Sequence, residues 1–397
     1  MRKTRKKIFI VIISFTIIGQ VFSQELQNTV NNNNKFSFEL YTEIKTNPVN
    51  IIYSPFSIST ALAMTYTGAK NNTLEEMSNT LYFDKDFNVH NNNFSTLQKN
   101  IISENKDVKI NIANSLWAQQ DYHFLDNFIE INKKYYNAGI QFTDFNGNIE
   151  QSRIKINNWV EKETNNKIKD LIKKKTLDNS TRLVLVNAIY FNGAWKSPFE
   201  KENNTEEIFY IFSKCETTAT YMNKLITGKY YEDKLSRIVE IPYKNNIASM
   251  MIILPKKRYG IMDVEKAINE KKLNEYTEKF EYKKIQLSLP KFKFTSEFEL
   301  SEQLSKMGMP NAFGSGADFS GMTGNKDLFI DKVIHKAFIE VNEKGTEAAA
   351  ATAVTMRKTS ATFETVKVKI DHPFIFIIKD NKTGSILFSG RVLNPNL

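Results

Sequence analysis

A single α+β domain is the architecture this sequence predicts, and three observations point to it. Helical patterning dominates the first half of the chain and strand patterning the second, with crossings between them. No linker, internal repeat or shift in composition divides the 397 residues. A nearly continuous apolar run, Leu183 to Phe191, has the pattern of a strand covered on both faces. With 41% hydrophobic residues the chain is long enough to bury a large core.

The chain opens on Arg2, Lys3, Arg5, Lys6 and Lys7, followed by an apolar run from Ile8 to Ile18 and small residues near Ser23. That order is the pattern of an export signal cleaved before Gln24. The run is short for a membrane span, and Asn-rich sequence follows it. Residues 1–23 are expected to be a signal peptide and 24–397 one secreted, extracellular domain with no membrane association. Loss of the five signal cations lowers the net charge from +10 to +5. The remaining cations are scattered. Their longest run, Lys173-Lys174-Lys175, reads as the close of a helix rather than a nucleic-acid site. Cys215 is the one cysteine, so no intrachain disulfide forms. The four histidines and one cysteine show no zinc spacing, and neither metal nor cofactor is expected. Asn71, Asn93, Asn179, Asn203 and Asn381 head Asn-x-Ser/Thr triplets, which matter only in a eukaryotic secretory route.

Taken in order, Asn31 to Asn34 read as a frayed start, and residues 36–46 as a helix ended by Pro48. Ile51-Ile52-Tyr53 is a short strand turning into a helix that runs to Gly68, with Ser54 or Ser57 as cap and Pro55 in the opening turn. Val108 to Ala118 alternates as a strand, and Ile154 to Lys173 is amphipathic with a helical period. In the middle of the 183–191 strand, Asn187 needs buried hydrogen-bond partners. Short strands follow at Arg237–Tyr243, Ile247–Leu254 and Lys284–Leu289, then a helix over 296–309. Val333 to Val341 is a strand with His335, Ala337, Ile339 and Val341 on one face. A hairpin closes the chain, Phe374–Ile378 and Ile386–Val392 around a turn at Asp380–Gly384.

The stretch from Gly345 to Ser360 has no counterpart elsewhere. Thr346, Ala348, Ala349, Ala350, Ala351 and Thr352 are small, Ala353 to Thr355 turn β-prone, and Arg357 and Lys358 precede Thr359 and Ser360. No proline lies between Gly345 and Thr359, so every residue there is able to donate to a ladder. As a strand, Thr346, Ala348, Ala350, Thr352, Val354 and Met356 would share one face. The segment reads as a loop able to become a central strand, or else as a short surface helix or Ala-rich linker. Catalytic constellations are missing: no Gly-x-Ser-x-Gly, no phosphate loop and no His-Glu-x-x-His occurs. An enzyme is not expected.

Four stretches in this order resemble the serpin family, together covering essentially the whole mature chain. They are Ser54-Pro55-Phe56-Ser57-Ile58, Leu185 to Trp195, Val333-Ile334-His335-Lys336-Ala337 running into Glu343-Lys344-Gly345-Thr346-Glu347-Ala348, and Asp371 to Phe376. The resemblance implies a monomer with three β-sheets, about eight to nine helices and an exposed reactive-centre loop over about 343–362. It further implies a loop cleaved by a serine protease, which is trapped as the loop inserts into the central sheet. Residues 343–352 would form the hinge, with Lys291 as partner of Glu343. Ser54, Ser57, Asn187 and His335 would form a shutter beneath the opening sheet, and Trp195 would stand at the breach. The cleaved bond stays open among Arg357-Lys358, Lys358-Thr359 and Thr359-Ser360. The first two suit trypsin-like proteases, which are favoured, and Thr359 an elastase-like one. Papain-like cysteine proteases are not excluded by this loop. A non-inhibitory carrier or chaperone of the same family is the alternative, which the small hinge residues disfavour.

Overall fold

The computed structural model of the chain describes residues 24–101, 107–212, 215–346 and 364–397. The expected signal peptide, the hinge residues Ala348 to Thr352 and the bond candidates Arg357 to Ser360 lie outside them.

Helix α1 spans 24–44 and starts well before the expected position. Asn31–Asn34 belong to its interior rather than to a frayed end. Asn34 donates from Nδ2 to Gly384 O and accepts at Oδ1 from Ile386 N, so tertiary contacts override the weak helix propensity of asparagine. Strand β1 (Ile51–Tyr53) leads into α2 (Pro55–Tyr66), whose N-cap is Ser54, accepting from Ser57 N at 3.2 Å. All twelve residues of α2 are buried, so it runs through the interior with no solvent face. It contacts α3 (Asn71–Leu81) and α5 (Asp126–Tyr136), and α4 (Phe87–Ile101) packs on α5. Helix α6 (Ile149–Glu163) ends ten residues sooner than its amphipathic pattern predicts. Asn165 and Asn166 adopt φ of 49° and 60°, which break the right-handed run. Lys173 therefore closes no helix and instead pairs with Glu297 at 3.0 Å.

Six strands form one sheet in the order β10 (Phe292–Glu299), β11 (Lys332–Asn342), β12 (Gly345–Thr346), β4 (Leu183–Ala194), β2 (Val108–Gln119), β3 (Ile140–Thr143). Residues 296–299, expected as helix, extend β10 and pair with 334–337 of β11; the helix there, α9, is only Ser301–Met307. The other sheet runs β1, β15 (Ile386–Val392), β14 (Phe374–Asp380), β8 (Ala248–Pro255), β7 (Ser236–Pro242), β6 (Glu216–Glu232), β9 (Glu281–Pro290), β13 (Thr365–Lys369), with β5 (Thr205–Tyr210) on β6. Its seventeen-residue β6 pairs with β5 at one end and β7 at the other, and so hydrogen-bonds what would otherwise be two sheets into one network. Helices α7 (Ile261–Ala267), α8 (Glu270–Lys279) and the single-turn α10 (Ser320–Thr323) complete the α-helices among the described residues, beside short 3-10 turns at Lys201–Asn203, Lys244–Asn246 and Pro310–Phe313.

Strand β4 is covered on both faces. Val184, Val186 and Ala188 pack with Ile156 and Val160 of α6. Leu183 and Leu185 pack with Ile58 and Leu62 of α2, and Ile189 and Phe191 meet strands of the second sheet such as Ile252 and Phe376. Position 187 therefore points toward α2.

Candidate functional site

Three polar residues stand in a row across adjacent strands. The parallel register of β11 and β4 sets His335 opposite Asn187, and the antiparallel register of β4 and β2 sets Asn187 opposite Asn114. Because side chains alternate, all three reach the N-terminal turn of α2. Asn187 Nδ2 donates to Ser57 Oγ at 2.5 Å and to Asn114 Oδ1, while Ser57 Oγ also donates to Asn114 Oδ1 at 3.2 Å. Asn114 Nδ2 closes the cluster on Ser57 O at 3.2 Å. His335 Nε2 accepts from Ser54 N at 3.2 Å, which places the proton on Nδ1, facing Asn187 Oδ1. Ser54 Oγ donates to Leu387 O at 2.6 Å. The imidazole is fully buried, and desolvation holds its pKa down to about 3. It is neutral and shares no hydrogen bond with the Ser57 hydroxyl, so the two form no nucleophile–base pair. Asn114 escaped the sequence reading, since a lone asparagine in a strand gives no local sign of partners 57 and 73 residues away.

A second cluster stands where β11 turns back. Gly345 and Thr346 pair with Asn342 and Val341 of β11 and with Ala194 and Gly193 of β4, antiparallel to both. Below them β11 and β4 pair directly, from Lys332↔Val184 to Phe338↔Tyr190. The chain thus already occupies the upper end of a gap that closes beneath it. A Cβ on Gly345 would lie 2.0 Å from Gly193 O, so only glycine permits this close approach.

Trp195 is buried and frames the turn. Its Nε1 donates to Asn342 O at 3.0 Å and its backbone N to Lys344 O at 2.9 Å. Its ring stacks on Tyr243, centroids 4.6 Å apart and 10° between planes. The Tyr243 hydroxyl, its pKa pushed far up by burial, shares a 2.6 Å hydrogen bond with Thr346 Oγ1. Nothing in the local sequence singled out Tyr243, which lies 103 residues from its partner. Glu343 Oε1 accepts from Lys291 Nζ at 3.0 Å and from Asn204 Nδ2 at 2.6 Å. Burial alone would raise its carboxyl pKa, but its own backbone amide, Asn204 and Lys291 outweigh that and hold it below the ordinary range. The described chain resumes at Glu364 and enters the second sheet as β13, parallel to β9. Among the described residues no group of His, Cys, Asp or Glu could hold a metal ion, and no helix is long and apolar enough to cross a membrane.

Known proteins resemble this chain over nearly its whole length. The family model described as Serpin (serine protease inhibitor) matches residues 31–395. The leukocyte elastase inhibitor of Xenopus laevis is 41% identical over 372 residues, covering 91% of this chain and 97% of that protein. Human Serpin B4 is 39% identical over 384 residues, with 91% and 98% covered. The crystal structure of Serpin48, described as a highly specific serpin of the insect Tenebrio molitor, superposes with a TM-score of 0.82 at 32% identity, covering 94% of this chain and 98% of the other.

Proposed function

This chain belongs to the serpin family of serine protease inhibitors, and from that premise we propose that it is a secreted suicide substrate of trypsin-like serine endopeptidases. The observation that carries this reading is the placement of Gly345 and Thr346, antiparallel between β4 and β11. A chain entering there continues downward as a new central strand if β4 and β11 part.

The chemistry belongs to the protease. Its serine oxygen attacks the carbonyl of the residue before the cleaved bond, and the peptide bond near Lys358-Thr359-Ser360 breaks. The new amine leaves with the serine's proton, and an ester joins the loop to the enzyme. Cleavage frees residues 347 onward to insert, which drags the esterified protease along the sheet and deforms its active site before water completes hydrolysis. The Ser54, Ser57, Asn114, Asn187 and His335 cluster bridges β2, β4 and β11 beneath the gap and sets the resistance to opening. Glu343, Lys291, Asn204, Trp195 and Tyr243 hold the hinge in register until cleavage. The basic residues Arg357 and Lys358 favour a pocket floored by a buried acid, while Thr359 suits an elastase-like enzyme, and the loop does not exclude papain-like ones.

Mixing the mature protein with trypsin, and separately with an elastase, tests this on denaturing gels. A band at the summed mass that survives boiling supports the trap, and mass spectrometry of the released C-terminal peptide identifies the bond. Cleavage that yields neither complex nor a gain in thermal stability overturns the reading in favour of a carrier. The mass of the N-terminus of protein collected from the medium tests export and cleavage before Gln24.

A further inference from the structure

A cavity of about 100 Å³ lies between α1, α3 and α4, far from the hinge in sequence. Two buried side chains line it without satisfying their own polar atoms. Asn33 of α1 is 4% exposed, and neither its Oδ1 nor its Nδ2 has a hydrogen-bond partner. His90 of α4 is 1% exposed with Nε2 unpartnered, and its ring is hemmed by Tyr66, Phe83 and Phe94, none of which donates to that nitrogen. Leaving such groups bare is costly, so the cavity is built for an occupant.

Glu25 and Asp84 also line the space and form no ion pair among the described residues, so an anion is repelled. Phe83 and Phe94 contribute aromatic walls, which attract cations. Asn33 Oδ1 accepts an N–H, Asn33 Nδ2 donates to a hydroxyl, and His90 in its Nδ1–H tautomer accepts at Nε2. Burial keeps that histidine neutral, its pKa lowered to about 3, so it does not oppose a positive guest. The volume is several times the roughly 10–15 Å³ that one water requires, and so also admits one short chain of a few heavy atoms. We propose that this cavity binds a small primary ammonium bearing a hydroxyl, the ethanolamine class. A phospholipid carrying the same headgroup is disfavoured, because its phosphate would face Glu25 and Asp84.

Calorimetric titration of the mature protein with ethanolamine hydrochloride, at ionic strength held constant with sodium chloride, tests the proposal. Binding should raise the thermal unfolding midpoint through linkage, while 1-propanol, similar in size but uncharged, should not. The Glu25→Gln/Asp84→Asn variant, altered only at half-buried and exposed positions, should weaken binding at least tenfold, and Asn33→Leu should abolish it. No binding heat, equal shifts with propanol, or unchanged affinity in the Glu25→Gln/Asp84→Asn variant would each overturn the proposal, the first leaving a cavity that holds only water. Vesicles containing phosphatidylethanolamine should not bind the protein; if they do and free ethanolamine does not, the headgroup rather than the free amine is the ligand and the proposal fails.

Discussion

His335 is buried completely, and one of its nitrogens accepts a backbone N–H, so an added proton would find no place for its charge. His90 is also buried, and desolvation alone lowers its pKa to about 3. Both folded values lie below the unfolded value of 6.5, so the unfolded chain binds protons that the native chain refuses. Stability is therefore complete above about pH 6.5 and lost as pH falls toward 3, by roughly 1.4 kcal/mol per unit for each histidine. Between pH 7 and 5 the urea midpoint should fall by the equivalent of about 4 kcal/mol in all, and His90→Phe should remove about half of that dependence. A midpoint flat over this range would show that these rings carry charge in the native state. Gly345→Ala has nowhere to put its methyl group beside Gly193 O, so β12 should leave the sheet. The Trp195 fluorescence of that variant should move, since the indole N–H bonds Asn342 at the same turn.

Strand β12 is two residues long, and on the proposed mechanism it sets the direction in which insertion proceeds. An inserting segment must run antiparallel to β4 and β11, and Thr346 already points its hydroxyl at Tyr243 in the core. On the proposed mechanism Thr346→Arg puts a charge where a buried hydroxyl sat, and desolvating that charge arrests insertion at its first step. Trypsin should then cleave the loop as before while the covalent band falls at least tenfold, read as the ratio of complex to cleaved product on a denaturing gel. An undiminished complex would place the start of insertion elsewhere. Strand β6 shows how an element escapes a sequence reading. Its seventeen residues, with Gly228 inside, look like short runs separated by turns. Continuous pairing with β9 from Tyr221 to Tyr230 keeps them one strand.

For the whole molecule, the proposal makes the native fold a trapped state and the cleaved fold a more stable one. Insertion of about a dozen residues adds roughly one net hydrogen bond each beyond those the exposed loop had, worth on the order of 10 kcal/mol. For a chain of this size that corresponds to a rise in midpoint on the order of 10 °C. Scanning calorimetry before and after loop cleavage checks it, and an unchanged midpoint would mean that the cleaved loop stays outside the sheet.

Much of this was legible in the sequence because the signals were local. Ser54-Pro55 marks a capped helix start, the run Leu183–Phe191 marks a strand with two covered faces, and the alternation from Val333 to Val341 marks β11; the structure has all three. The family motifs pointed to the hinge at Glu343 and to the polar residues at 54, 57, 187 and 335. The sequence could not show Asn114 or Tyr243, which are ordinary residues until strand register brings Asn114 to Asn187 and packing brings Tyr243 to Thr346. It also misjudged Asn33, whose polarity suggests a loose end but whose side chain lines a buried cavity. Local propensity and hydrophobic period act over a few residues and therefore settle which segments are helix or strand. Which polar groups meet depends on contacts spanning some 50 to 150 residues, and only the folded chain decides those.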